Sequence, residues 1–411
     1  MTERLRLALP PALSAAAVGR VLDALARGGA EVRFVGGCVR DAILGRPVRD
    51  VDLATDALPQ GVMALLRAAG IGVVPTGVAH GTVTAVVDGT PVEVTTLRRD
   101  VETDGRRAVV DFTDDWREDA ARRDFTMNAL SLSPDGTVHD FFGGIADARA
   151  GRVLFVGDPE ARIREDVLRI LRFFRFQAHY GRGAPDAAAL AACRRLAPLL
   201  PRLSGERVRA ELLRLLEAPD PAPVWRLMAD EGVLARLLPE AADLGRLDAL
   251  AGLERAGGAA PDPLRRLAAL LPGSAAAALD VAARLRLSNR ERDRLVLLAE
   301  PPLAVDPSSP DRGNRRALHR LGAAHFADLV LLEAAARRLG RAAIEPALAA
   351  AAAWRPVSFP LAGRDLQARG VPPGTGMGRL LKELEAWWED RDYRPDRAAC
   401  LAELERRLGH G

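Results

Sequence analysis

The sequence predicts an α+β protein, in which a mixed α/β head of residues 1–150 precedes an all-helical remainder. Helical and strand patterns alternate over residues 1–150, as expected for a domain that packs helices on a sheet. After Gly157, leucines and alanines recur at helical spacing, and the pattern contains no convincing strand. Clusters of proline and glycine divide this second part into helical segments.

Within the head, short β-rich runs alternate with helical stretches. The predicted elements are helices over 11–29, 39–44 and 60–69 and strands over 32–35, 51–54, 82–87 and 92–97. The last two strands are joined through Asp88-Gly89, a pair that favours a tight hairpin turn. The head therefore contains a small mixed sheet that is partly antiparallel.

Composition and charge are those of an ordinary globular protein. Of 411 residues, 48% are hydrophobic and 27% are charged, with a formal net charge of +3. No apolar run reaches the roughly 18 residues of a membrane span, and the N-terminus lacks the pattern of a secretory signal, which favours a cytoplasmic location. Aromatic residues make up only 4%, so a nucleic-acid partner would be recognised through its backbone and shape rather than by base stacking. Cys38, Cys193 and Cys400 stand far apart and are expected to be buried, reduced side chains.

Paired carboxylates are the most informative feature of the head. Residues two apart in a strand project from the same face, so Asp50 and Asp52 are predicted to point together while Val51 faces the core. Glu93 stands between two valines in the hairpin and is expected on the same sheet surface. Carboxylate oxygens favour Mg²⁺, and two such ions could activate a hydroxyl and stabilise a leaving oxygen in phosphoryl transfer.

A glycine pair gives this carboxylate set a context. Gly36 and Gly37 end a predicted strand and open a helix, where free backbone N–H groups and the helix dipole favour a phosphate. A tight turn that requires glycine is compatible with phosphate binding rather than opposed to it. A D-x-D pair by itself is more often a solvated face, but with the glycines it indicates nucleotide chemistry.

These residues carry a family resemblance. Residues 36–55 read G-G-x-V-R-D-x-x-L-G and then D-x-D-x-x-T, which resembles the head of class II CCA-adding enzymes and bacterial poly(A) polymerases, within the DNA polymerase β superfamily. The resemblance implies that Asp50, Asp52 and Glu93 are catalytic and bind the metal ions. It also implies that Gly36, Gly37 and Arg40 bind the nucleotide.

A second block, at residues 122–129, is similar to the R-R-D-F-T-x-N-A motif of the same family. The resemblance implies that Arg123 and Asn128 contact the nucleotide and that Asp124 lies near the ribose hydroxyl. An Arg-Arg-Asp run by itself is more often a solvated salt-bridge cluster. The neighbouring motifs favour a role in nucleotide binding.

A third block, E-D-V-L-R at residues 165–169, resembles the E-D-x-x-R motif. On one helix, Asp166 and Arg169 would be adjacent, and the simplest interpretation is an i,i+3 salt bridge. The functional interpretation is that the pair imitates a base edge. A carboxylate accepts the amino group of cytosine or adenine, and a guanidinium donates to the neighbouring ring nitrogen. Uracil and guanine present a carbonyl oxygen that the carboxylate repels, so CTP and ATP would be selected without a template.

Flanking residues extend the resemblance. Arg172 and Arg175 are implied nucleotide contacts, although each helical step of three drifts about 60° backward, so that Arg175 would face away from Asp166. The segment 204–207 with Glu211 resembles the last family motif and is predicted to be structural. The polar segment 98–107 has no periodicity and is predicted to be a loop over the active site; in the family such a loop takes part in switching from C to A addition.

The resemblance implies a four-part organisation and a specific activity. The parts are a nucleotidyltransferase head (1–150), a neck with the base-selecting motif (151–217), a body (218–350) and a tail (351–411). The implied activity is addition of C, C and A to the 3′ end of tRNA from CTP and ATP, with Mg²⁺ as cofactor and no obligate protein partner. Four alternatives stay open: poly(A) polymerase, a CC-adding-only or A-adding-only enzyme, a small-molecule nucleotidyltransferase, and a non-catalytic RNA-binding relative.

Overall fold

A computed structural model of the chain describes residues 5–104, 107–241, 243–257, 259–309 and 312–409. The chain forms two compact units, Met1–Pro239 and Glu240–Gly411. The α+β class predicted from the sequence is confirmed: strands occur in the first unit, and the described part of the second is built from helices. The finer division into four parts stays a prediction.

A seven-stranded mixed sheet forms the centre of the first unit. Its strand order is β3-β4-β5-β2-β1-β8-β9. Only β2 and β5 run parallel, and the other neighbouring strands are antiparallel. The strands are β1 (Val32–Val35), β2 (Asp52–Thr55), β3 (Gly72–Gly77), β4 (Thr82–Val87), β5 (Thr90–Thr96), β8 (Leu130–Leu132) and β9 (Val138–Asp140).

The predicted hairpin between β4 and β5 is confirmed. Asp88 and Gly89 take φ values of 50° and 80°, the left-handed pair that a two-residue hairpin turn requires.

The segment predicted as a loop over 98–107 forms two strands instead. β6 (Arg98–Asp104) and β7 (Arg107–Phe112) pair antiparallel in a separate two-stranded sheet, while residues 105 and 106 lie outside the described residues. Main-chain hydrogen bonds hold such a pair, and Arg99 adds an ion pair to Asp111 across it at 2.7 Å. The sequence of residues 98–107 lacks the apolar alternation by which a strand is predicted, so it carries no strand signal.

Helices complete the first unit and bury their apolar faces on the sheet or on one another. They are α1 (Ala16–Arg27), α2 (Gly37–Ile43), α3 (Pro59–Ala68), α4 (Trp116–Ala121), α5 (Gly144–Ala150), α6 (Pro159–Glu165), α7 (Arg169–Tyr180), α8 (Ala187–Leu196), α9 (Gly205–Leu216), α10 (Ala222–Asp230) and α11 (Leu234–Leu237). Short 3₁₀ helices occupy Val78–His80, Thr126–Asn128 and Ala197–Arg202. Leu25 of α1, Phe34 of β1 and Leu53 of β2 are fully buried in the core between helices and sheet. The side chain of Asp158 accepts a hydrogen bond from Ala161 N at 2.8 Å and so caps the start of α6.

The second unit contains nine helices within its described residues. They are α12 (Leu244–Gly257), α13 (Pro263–Leu270), α14 (Ala275–Arg284), α15 (Asn289–Ala299), α16 (Arg312–Ala336), α17 (Arg341–Ala353), α18 (Gly363–Gln367), α19 (Thr375–Glu389) and α20 (Arg397–Leu408). Gly322 kinks α16, with φ 79° and ψ 161°. No helix in the described part of either unit is long and apolar enough to cross a bilayer.

The three cysteines are buried and unpaired, as predicted. Burial raises the pKa of Cys38 to about 11.

Candidate active site

Two of the three predicted catalytic carboxylates are neighbours on adjacent parallel strands. Asp52 is the first residue of β2 and lies in register with Glu93 of β5. Both side chains are exposed, whereas Leu53, the next residue of β2, is fully buried. Asp50 precedes the strand, so the strand alternation predicted from the sequence does not orient it with Asp52. The strand begins at Asp52, and Asp50 lines a cavity together with Asp52.

The electrostatics of Asp52 indicate crowded negative charge. Desolvation raises the pKa of Asp52, Glu93 and Asp50 raise it further, and Arg123 partly opposes them. Two nearby carboxylates disfavour ionisation of the third, and a divalent cation would relieve that repulsion. Among the described residues, no group of three or more acidic, histidine or cysteine side chains is placed so that it could hold a metal ion. The oxygen donors and the negative charge of Asp50, Asp52 and Glu93 suit a hard divalent cation, but the three carboxylates do not converge on one point.

The turn before α2 requires glycine at one position. Gly36 has φ 72° and ψ −126°, a conformation that L side chains rarely adopt. A Cβ atom there would lie 2.9 Å from Nη1 of Arg123. The amide of Gly36 donates to the carbonyl of Leu130 at 3.1 Å, so of the two glycines it is Gly37, the first residue of α2, that offers a helix-terminal N–H.

Arg123 is fixed by a buried acid that sequence reasoning missed. Its Nη2 lies 3.0 Å from Oδ2 of Asp119, which is only 3% exposed. Burial by itself would raise the pKa of Asp119, but Arg123 and Arg122 outweigh burial and lower it. The spacing of four residues was the available signal, since i,i+4 residues on a helix face each other.

Arg40 is buried and held on several sides. Its Nη1 donates to Oδ1 of Asn128 at 2.7 Å, and its Nη2 donates to the hydroxyl of Tyr180 at 2.6 Å and to Asp41 at 2.9 Å. Its guanidinium also lies 4.1 Å from the ring centroid of Tyr180. Asn128 in turn binds the next acid, because its Nδ2 donates to Oδ1 of Asp124 at 2.9 Å.

The contacts continue as a chain of alternating charge. Arg172 donates to Oδ2 of Asp124 from Nε at 2.7 Å. Its Nη1 lies 3.7 Å from Oε1 of Glu211, whose Oε2 accepts from Nε of Arg175 at 2.6 Å. Glu211 is 4% exposed. Glu211, which was predicted to be structural, thus contacts both Arg172 and Arg175, two arginines that were predicted to bind the nucleotide.

The base-selecting pair does not form the predicted i,i+3 salt bridge. Helix α6 ends at Glu165, and Asp166 is extended, with φ −150° and ψ 106°, before α7 starts at Arg169. The carboxylate of Asp166 accepts from Leu168 N at 3.1 Å and from Arg207 at 2.7 Å. Arg169 pairs with Glu165 at 2.5 Å instead. The break follows from the bond to Leu168 N, an Asp-backbone turn that competes with helix.

One cavity of about 670 Å³, called the nucleotide cavity below, gathers most of the predicted site. The predicted residues that line it are Gly36, Gly37, Arg40, Asp52, Arg123, Asp124, Asn128, Asp166, Arg169 and Arg172. Arg175 does not line it and contributes with Asp50 to an adjoining cavity, and Glu93 lines neither. Arg207 lines the nucleotide cavity and was missed as a site residue. Its partner Asp166 lies 41 positions away, a separation that a local pattern does not reveal.

Known proteins are similar to this chain in sequence and in fold. Residues 32–154 match the poly A polymerase head domain, and residues 184–244 match a probable RNA and SrmB-binding site of polymerase A. The mitochondrial CCA tRNA nucleotidyltransferase 1 of Mus musculus is 34% identical over 395 residues, which cover 92% of this chain and 87% of that protein. The CCA-adding enzyme of Geobacillus thermodenitrificans is 41% identical over 238 residues, 57% of each chain.

The solved structures include a counterpart along nearly the whole chain. The crystal structure of the Bacillus stearothermophilus CCA-adding enzyme in complex with CTP superposes with a TM-score of 0.77 at 29% identity, over 95% of this chain and 96% of that one. With the mouse relative matching along nearly the whole sequence, these likenesses identify the chain as a member of the CCA-adding tRNA nucleotidyltransferase family, whose head domain is shared with poly(A) polymerases.

Proposed function

We propose that this nucleotidyltransferase adds C, C and A to the 3′ end of tRNA from CTP and ATP without a nucleic-acid template. The observation that carries the proposal is the nucleotide cavity, which brings Asp166 and Arg169 together with Gly37 and Asp52. A cavity of about 670 Å³ is within the size range of small-molecule sites. The mouse relative, which matches most of the chain, is named a CCA tRNA nucleotidyltransferase.

Asp50, Asp52 and Glu93 would hold Mg²⁺. The raised pKa of Asp52 beside Glu93 and Asp50 supports this assignment, because the repulsion that raises it is relieved by a bound cation. When bound, such ions supply charge stabilisation at the reacting phosphate and an activated attacking hydroxyl. The all-oxygen donor set suits hard divalent ions, and we propose that the bound ion is Mg²⁺.

The triphosphate would be oriented by the chain's own cations and amides. Gly37 offers a helix-terminal N–H, and Arg123 lies against the turn at Gly36. Both Arg123 and Arg40 are tied to acids, so they present fixed rather than mobile charge. Fixed donors in a site need little reorganisation when charge develops in the transition state.

Base selection would use the two separately anchored groups of the E-D-x-x-R motif. Because Arg207 and Leu168 N hold Asp166 while Glu165 holds Arg169, the two members do not neutralise each other. An ionised carboxylate only accepts hydrogen bonds, and a guanidinium only donates them. Cytosine and adenine satisfy both, whereas a carbonyl facing Asp166 sets one acceptor against another, which typically costs about 1–3 kcal/mol once the bound nucleotide excludes water from the contact.

Asp124 is proposed to act mainly by positioning. Its carboxylate already accepts from Phe125 N, Asn128 and twice from Arg172. A ribose hydroxyl would have to share one of these oxygens. Holding Arg172 toward the nucleotide is therefore the role that the contacts support best.

Nucleotide addition to defined tRNA ends tests the proposal. The purified chain, Asp52→Ala and the control Asp23→Ala, which changes an exposed acid on α1, are incubated with Mg²⁺, CTP, ATP and transcripts ending at the discriminator base, at C or at CC. We expect wild type and Asp23→Ala to complete C, C and A and then stop, and Asp52→Ala to add nothing. Addition of C alone or A alone indicates half of a split pathway, long A tracts indicate a poly(A) polymerase, and no addition by the wild type contradicts the proposal.

We propose that the chain works without an obligate protein partner and in the cytoplasm, although its mouse relative is described as mitochondrial. Fractionation of the source cells with an antibody to the chain would test the location.

A further inference from the structure

A second cavity of about 520 Å³, called the arginine cavity below, adjoins the nucleotide cavity within the first unit. Four residues line both cavities, namely Gly37, Arg40, Asp52 and Arg214. Asp50 lines only the arginine cavity. The two cavities therefore meet at the proposed metal-binding edge, and each offers a separate approach to it.

The arginine cavity is lined by guanidinium groups whose N–H donors are not all used by contacts within the described part of the chain. Arg46, Arg49 and Arg214 line it and are exposed. In the described part of the chain, the side chains of Arg49 and Arg214 make no hydrogen bond or ion pair. Arg46 is held in place, because its Nη2 donates to the carbonyl of His179 at 2.8 Å and its guanidinium lies 4.4 Å from the ring centroid of Tyr180. The other N–H groups of Arg46 stay available to a ligand.

The acids around these arginines do not cancel them. Asp41 is paired with Arg40 at 2.9 Å and accepts from the hydroxyl of Tyr180 at 3.2 Å. Asp50 and Asp52 are the proposed ligands of a divalent cation. Glu217 is the one further acid in the lining, so the cavity is positively charged once the metal edge is occupied.

The incoming nucleotide does not need the part of this cavity that Arg46 and Arg49 line. The base-selecting pair, the glycine turn and Arg123 all line the nucleotide cavity, so the groups proposed to bind the base and the triphosphate lie there. In phosphoryl transfer the attacking hydroxyl and the leaving oxygen are roughly in line on opposite sides of the phosphorus. The attacking strand must therefore reach the shared edge by a different approach, and a strand brings phosphates that require cations.

We propose that the arginine cavity binds the phosphodiester backbone of the last nucleotides of the RNA primer, with Arg46 and Arg49 as direct phosphate ligands and Arg214 as a third at the boundary with the nucleotide cavity. The inference rests on the proposed function, since it names where the second substrate of that reaction lies. Arginine suits the role because its planar fork matches a phosphate. Tyr180 and His179 act as positioning residues for Arg46.

A binding experiment without chemistry tests the proposal. A labelled tRNA transcript ending in a 3′-deoxycytidine is compared with one that lacks the unpaired 3′ nucleotides, by fluorescence polarisation with Mg²⁺ present. The proteins are wild type, Arg46→Ala/Arg49→Ala, and the control Arg27→Ala/Arg67→Ala, which removes two exposed arginines outside both cavities. Thermal melts verify that each variant is folded.

We expect the wild type and the control to prefer the complete 3′ end by roughly tenfold or more, as charge-assisted bonds to phosphate are strong. The Arg46→Ala/Arg49→Ala protein should bind the two transcripts with nearly equal affinity. The slope of log affinity against log salt should fall by about 1.4, because each single-strand phosphate that the protein neutralises contributes roughly 0.7. The KM for CTP in nucleotide addition should change by less than about twofold, since these two residues lie outside the nucleotide cavity.

Two results overturn the inference. An unchanged preference for the 3′ end means that the cavity does not bind the primer. A raised KM for CTP with an unchanged preference means that it holds the triphosphate instead. The proposed function is tested separately, by addition of C and A by the wild type. If that addition fails while the preference for the 3′ end still depends on Arg46 and Arg49, the proposed function is wrong and the proposal that this cavity binds RNA is retained.

Discussion

Substitution of Asp124 by asparagine should lower the free energy of unfolding by about 3 kcal/mol. Asp124 is 7% exposed, and Arg172 binds it from Nε at 2.7 Å and from Nη2 at 2.5 Å. Removing one charge of a buried pair typically costs about 3–5 kcal/mol, because the other charge is left without its partner. The lower end applies here, since the side chain of Arg172 is 31% exposed and keeps Glu211 at 3.7 Å.

The assay is urea unfolding followed by circular dichroism, with Asp23→Asn as a charge-matched control. Asp23 is exposed, so that variant should lie within about 0.5 kcal/mol of wild type. A decrease of less than about 1 kcal/mol in Asp124→Asn would refute the view that the Asp124–Arg172 pair is an essential buried contact.

The pH dependence of the same pair has a definite sign. Burial by itself would raise the pKa of Asp124, but Arg172 and Asn128 outweigh burial and lower it from its usual 3.8. A depressed folded pKa means that the stabilisation is fully present above the unfolded pKa and is lost as pH falls through the folded one. The difference between wild type and Asp124→Asn should therefore be constant from neutral pH down to about 5 and shrink below about 4. A difference that grows toward low pH would contradict the assignment.

Two further changes test the nucleotide cavity. Gly36→Ala places a Cβ 2.9 Å from Nη1 of Arg123, whereas Gly45 has φ 63° and open space around it. In calorimetric titration with CTP, the affinity of Gly36→Ala should be reduced about tenfold or more. The affinity of Gly45→Ala should change little, since this control carries only left-handed strain of about 1–2 kcal/mol. Equal affinity in the two variants would mean that Arg123 does not contact the nucleotide. Arg207→Ala removes the 2.7 Å ion pair that orients Asp166. The ratio of kcat/KM for CTP to kcat/KM for UTP should therefore fall about tenfold, which corresponds to ~1.4 kcal/mol. An unchanged ratio would show that the hydrogen bond from Leu168 N is enough to orient the carboxylate.

Local sequence patterns were sufficient to predict those features that the backbone geometry of a single turn or strand determines. The pair Asp88-Gly89 takes the left-handed conformations of a tight turn, and it joins the two strands that were predicted on either side of it. The alternation around Glu93 correctly put its side chain on the exposed face, and the register of the parallel pair then set it beside Asp52. Strand alternation is fixed by backbone geometry, so these features follow without knowledge of the rest of the fold.

Distant contacts were not predictable from patterns. Arg40 meets Tyr180 across 140 positions, and Asp124 meets Arg172 across 48. Nothing in a local sequence specifies which buried cation meets which acid, because the pairing depends on how helices dock on the sheet. The prediction for Asp50 failed for a similar reason. Asp50 fits the strand alternation, but strand pairing in the sheet begins only at Asp52.

Because the helix is interrupted before Arg169, Asp166 and Arg169 do not form a salt bridge with each other, and both groups can face a nucleotide base. If Asp166 and Arg169 faced each other on one helix, each would satisfy the other and a base edge would have to displace a formed ion pair. In the structure Asp166 is held by Arg207 and Arg169 by Glu165, so each charge is anchored from behind. Anchoring also restricts movement, so a carboxylate that cannot turn away must be met by a donor or left facing another acceptor. Selection of CTP and ATP then depends on the rigidity of these two anchors as much as on the pair itself.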